Sequence, residues 1–126
     1  MAAVERAAGL AGATGARLTV LCAFEEQAVT GAGRTPRPVS PFDADWAFEV
    51  VGKAAAAASA LAAEPVATRT WPGSPALALI SQARALAVEL LVVGFQGAGS
   101  SPGSSLGSVP VTLSRHAPCD LLIVRP

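Results

Sequence analysis

Glycine and serine residues in the last third of the chain have the types and the spacing of a phosphate-binding loop. The pattern is G-x-x-G, nine residues, then G-S-V, and its residues are Gly94, Gly97, Gly107, Ser108 and Val109. The run LLVV at residues 90–93 has no polar face, which predicts a buried parallel strand, and the chain after Ser108 can form a helix. Free N–H groups and the dipole at a helix start favour an anion. We therefore expect the glycines to let backbone approach a ribose or phosphate, and Ser108 to add a hydroxyl.

Two common phosphate-binding patterns do not fit this loop. The Walker pattern requires a lysine directly after its second glycine, and none follows here. The dinucleotide-binding fingerprint requires a different spacing of its glycines. The loop therefore matches neither pattern.

The loop spacing closely resembles that of the universal stress protein family, and the flanking segments resemble the family too. Residues 74–80 are similar to its third helix, residues 90–94 to its fourth strand, and residues 116–124 to its closing strand. Residues 13–21 are similar to the end of its first helix and its second strand. The resemblance implies one α/β domain over residues 1–126, a Rossmann-like, doubly wound parallel sheet.

The same resemblance implies an adenine-nucleotide site, with ATP, alone or with Mg, as the ligand. The implied ligand-binding residues are the five loop residues and Ala23, which matches the family's adenine-contacting position at the end of its second strand. From the residues alone, Ala23 and Phe24 are at least equally well explained as ordinary core residues at a strand end. The resemblance implies a regulatory module in the stress response, with at most slow ATP hydrolysis.

A second function class stays open, a dimeric interaction protein of the same fold that binds no nucleotide. Three departures from the family's pattern favour it. The chain lacks the family's N-terminal aspartate, Gln96 replaces the arginine often found before the second glycine, and Pro110 follows Val109 where a serine is common.

The chain begins with residues that resemble the family's first helix. In the family a central strand, ending in an aspartate that contacts the adenine, precedes this helix. We expect either that the reading frame begins upstream of Met1 or that the strand has been lost. Its loss would leave two strand pairs with unpaired inner edges.

The elements that would position the loop follow from hydrophobic periodicity and from cap signals. The predicted order is a helix over 2–13 closing near Gly15, a strand over 18–23, a helix from Ser40 to about 63, a strand over 66–71, a helix after Ser74, a strand over 90–93, a helix over 109–115 and a strand over 121–124. Residues 25–39 are rich in turn formers and predict a surface excursion, a tolerated insertion rather than a lid. Trp46 is expected to pack against the sheet.

Composition restricts the partners and the compartment. The nine basic and nine acidic residues give zero formal charge and no basic stripe, which argues against nucleic acid. No run reaches the roughly 18 apolar residues that span a membrane, and no signal peptide is visible, so a cytoplasmic protein is expected. The apolar last strand predicts a homodimer formed by its antiparallel pairing. His116 and the two cysteines have no catalytic or metal-ligand spacing, so no catalytic or metal residue is assigned.

Overall fold

The computed structural model describes residues 1–26, 40–96 and 105–126, and these residues form four helices and four strands in strict alternation. The elements are α1 (Ala2–Thr14), β1 (Thr19–Phe24), α2 (Ala44–Ser59), β2 (Ala67–Pro72), α3 (Pro75–Ala85), β3 (Leu90–Gly94), α4 (Ser108–His116) and β4 (Asp120–Val124). This order confirms the predicted α/β class. The predicted excursion over 25–39 lies almost wholly outside the described residues.

Most helix ends follow the sequence signals. α1 ends at Gly15, which has φ 74° and donates its N–H to the Ala11 carbonyl at 2.9 Å. α3 begins after Ser74, with Pro75 in its first turn, where a missing N–H costs no helical bond. Gly15 at the end of α1 and Pro75 at the start of α3 both act through local backbone geometry. Sequence alone could therefore locate these two helix ends.

The start of α2 differs from the prediction. Asp43, not Ser40, is the N-cap, because its carboxylate accepts a hydrogen bond from the Trp46 N–H at 2.9 Å. The Ser40 hydroxyl instead accepts from the Phe42 N–H at 3.1 Å, two residues along the chain. Ser40 thus shapes the turn that leads into the helix. Trp46 is half-buried and packs edge-on against the Phe42 ring, with centroids 5.0 Å apart.

In the described part of the chain the strands form two parallel pairs instead of one continuous sheet. β1 pairs with β2 from Thr19↔Ala67 onward, and β3 pairs with β4 as far as Gly94↔Val124. This arrangement agrees with the expectation for the fold without a paired central strand. All six residues of β1 are only half-buried.

The helices connect the two strand pairs. α1 packs on β3, β4 and α2, and α2 in turn covers β1 and β2. α3 contacts β1 and α4, and α4 contacts β4. The buried apolar residues of the described ranges are mainly alanines, which allow close helix packing; with four larger side chains and Pro110 they are Ala8, Ala11, Ala47, Ala54, Ala58, Ala78, Ala83, Val51, Val93, Leu113, Val124 and Pro110.

Within the described residues one polar side chain is buried in this core. Gln82 is 5% exposed, and its Oε1 accepts a hydrogen bond from Arg69 Nη1 of β2 at 3.0 Å. The bond compensates the cost of burying the amide and ties α3 to the β1–β2 pair. None of the helices in the described ranges is long and apolar enough to cross a membrane.

Candidate functional site

β3 brings the glycine loop to the carboxyl end of the β3–β4 pair. Gly94 is the last residue of β3 and is paired with Val124. A Cβ atom at position 94 would lie 3.3 Å from the Gln96 carbonyl oxygen, closer than most side chains tolerate. A side chain at this position would require the Gln96 carbonyl to shift by a few tenths of an ångström. Ligands of parallel α/β sheets bind at this end of the strands.

Hydrogen bonds hold the two ends of the loop together, and we call this contact the loop neck, formed by Phe95, Gln96, Ser105 and Gly107. The Phe95 N–H donates to the Val124 carbonyl at 2.8 Å, and the Phe95 carbonyl accepts from the Gly107 N–H at 2.9 Å. Gln96 Nε2 donates to the Ser105 carbonyl at 3.3 Å. The neck therefore fixes the start of α4 relative to the end of β4.

The first turn of α4 has backbone N–H groups that find no acceptor within the helix. Gly107 is the N-cap, and Val111 makes a ladder bond by donating to the Gly107 carbonyl at 3.2 Å. The N–H groups of Ser108 and Val109 precede that bond, and Pro110 has no N–H. No side chain caps this helix and its first turn holds no acidic residue, so its positive end suits an anion.

Gly107 does not use the conformational freedom that is particular to glycine. Its φ of −66° and ψ of 165° are extended backbone that any residue can adopt. Its N–H is already bonded to Phe95, so the donors at this position are Ser108 and Val109. Gly97, the second glycine of the pattern, lies outside the described residues.

Sequence patterns did not identify Arg125, which contacts Phe95 of the loop neck. Its guanidinium carbon lies 4.5 Å from the centre of the Phe95 ring, a cation–π contact. The pairing Gly94↔Val124 places residues 95 and 125 side by side just beyond the strand ends. The register of β3 and β4 could therefore have identified Arg125. Two apolar runs of similar length determine that register only approximately.

Ala23 lies on the other strand pair, near the carboxyl end of β1, where it pairs with Trp71. An open cavity of about 350 Å³ lies beyond this strand end. It is lined by acidic residues and their neighbours: Phe24, Glu25, Glu26, Asp43, Ala44 and Asp45. The loop neck thus brings Gly94, Gly107, Ser108 and Val109 together, whereas Ala23 belongs to a separate, acidic side.

The cysteines are not activated as nucleophiles. Burial raises the pKa of the Cys22 thiol in β1. Burial also raises the pKa of the Cys119 thiol, with a further rise from Asp120 opposed by a backbone hydrogen bond at Leu91. A raised pKa keeps a thiol protonated and unreactive near neutral pH. In the described ranges no cluster of His, Cys, Asp and Glu side chains could hold a metal ion.

Comparison with known proteins identifies similar chains. The model of the universal stress protein family matches residues 1–125. Two universal stress proteins of Mycobacterium tuberculosis, MT1672 from strain CDC 1551 / Oshkosh and Rv1636 from strain H37Rv, are each 34% identical over 139 residues, which covers 98% of this chain and 86% of each relative.

Solved structures show the same fold. A universal stress protein crystallised in complex with cAMP is 31% identical, with a TM-score of 0.73 over 98% of this chain and 84% of that one. The universal stress protein UspA from Lactobacillus plantarum has a TM-score of 0.78 at 22% identity, over 98% of this chain and 88% of that one.

Proposed function

The chain belongs to the universal stress protein family, and we propose that it is an adenine-nucleotide-binding regulatory module of the cytoplasmic stress response. The observation that carries the proposal is the first turn of α4. There the loop neck holds two backbone N–H groups and the Ser108 hydroxyl at the carboxyl end of β3. We expect these groups to donate to a phosphate bound at the start of α4.

Each proposed ligand-binding residue has a physical role. Ser108 and Val109 would donate to phosphate oxygens, and Gly107 would hold the start of α4 through its bond to Phe95. Gly94 and Gly97 would let the backbone pass close to the ribose. The 31% identical relative in complex with cAMP supports an adenine nucleotide as the ligand. ATP, with or without Mg, is a second candidate of the same class.

The distribution of charge supports one orientation of the nucleotide. Carboxylates line the cavity beyond β1, whereas the first turn of α4 has no acidic residue. The carboxylates repel phosphates, whereas the positive end of α4 attracts them. The base would therefore lie toward Ala23 and the phosphates at Ser108.

The alternative is a dimeric interaction protein that binds no nucleotide. Gln96 favours it, because its side chain bonds to the Ser105 carbonyl of the neck and brings no positive charge. Pro110 favours it too, because it removes one first-turn donor. Pairing of two copies through β4 fits both functions.

The test is extraction of bound nucleotide from the purified protein, followed by calorimetric titration with cAMP and with ATP plus Mg. We expect Ser108→Ala to weaken binding by about tenfold or more, because a hydrogen bond to a charged group contributes about 1.5–3 kcal/mol. Ser114→Ala is the matched control in the same helix, where the hydroxyl donates to the Val111 carbonyl at 2.6 Å. It should leave affinity unchanged. A folded wild type that carries no nucleotide and gives no heat with either ligand at millimolar concentration would favour the non-binding dimer.

A further inference from the structure

We draw no further inference here: the strongest candidate, the open cavity of about 400 Å³ that Glu5 and Arg6 of α1 line together with Arg125 beyond the end of β4, carries none, because these charged side chains are exposed and no buried, unpartnered polar side chain within the described residues points to a ligand for it.

Discussion

The backbone of Gly12 in α1 lies against the carbonyl oxygen of Leu61, just beyond the end of α2, so closely that a Cβ atom at position 12 would overlap that oxygen. The same stretch is fixed from the other side, because the Leu61 N–H donates to the Ala58 carbonyl at 3.0 Å. A backbone group at this contact cannot yield as a flexible side chain would. The packing of α1 on α2 therefore requires a glycine at position 12.

Gly12→Ala should destabilise the protein by about 1–3 kcal/mol, the range typical of overpacking a rigid contact. Gly9→Ala is the matched control three residues earlier in α1, where an added Cβ meets nothing within 4 Å. It should stabilise the protein by about 0.5–1 kcal/mol, because alanine is the better helix former. Urea denaturation followed by circular dichroism measures both changes, and a stability change of the same sign in both variants would contradict the contact.

Asp43→Ala should cost about 1 kcal/mol, because it removes the side chain that accepts from the Trp46 N–H at the start of α2. Ser40→Ala is the control. Its hydroxyl bonds only within the preceding turn, so we expect a loss of a few tenths of a kcal/mol. A larger loss in Ser40→Ala than in Asp43→Ala would place the start of the helix where the sequence pattern predicted it.

The Gly12–Leu61 contact and the cap of α2 show what the sequence could and could not determine. Apolar runs and the cap signals at Gly15 and Ser74 correctly predicted the order of elements, because they act through local periodicity and backbone geometry. Ser40 and Asp43 both carry acceptors suited to capping, and only the path of the chain before α2 decides between them. The Gly12–Leu61 contact depends on how two helices approach, which local patterns do not encode.

The candidate site was predictable to the same extent. The spacing of Gly94, Gly107 and Ser108 indicated a strand, a loop and a helix start, and the structure has them in that order. The bond that occupies the Gly107 N–H and the stacking of Arg125 on Phe95 were not predictable. The first arises from closure of the neck and the second from the pairing of β3 with β4, and each brings together residues distant in sequence.

The division of the sheet predicts that this chain is stabilised by an added strand. In the described residues β1 and β3 each pair on one edge only, and β1 is half-buried throughout. An N-terminal extension with an apolar strand of about five residues should raise Tm by several degrees, since it would satisfy backbone groups and cover apolar side chains. An extension of equal length with alternate prolines cannot complete the ladder and serves as the control. Equal Tm values for the two extensions would count against an open position between the strand pairs.

In the part of the chain that the structure describes, β4 pairs only with β3, and its other edge predicts a homodimer by antiparallel pairing of this strand. Ile123→Lys should shift the protein toward monomer, because it places a charge in an apolar strand at the interface. Phe48→Lys makes the same change on α2, where Phe48 is 74% exposed, and should leave the dimer intact. Sedimentation at tens of micromolar distinguishes the species. A monomeric wild type, or dissociation by Phe48→Lys alone, would show that β4 is not the interface.

The most direct measurement of the central claim is a titration of isotope-labelled protein with cAMP, followed through backbone amide resonances. If the phosphate binds at the start of α4, the amides of Ser108 and Val109 should show the largest shifts, and Phe95 should follow because its carbonyl is bonded to Gly107. Arg115 and His116 at the other end of α4 should change little. Shifts confined to residues outside the neck and the first turn of α4, or none at millimolar cAMP, would contradict the account.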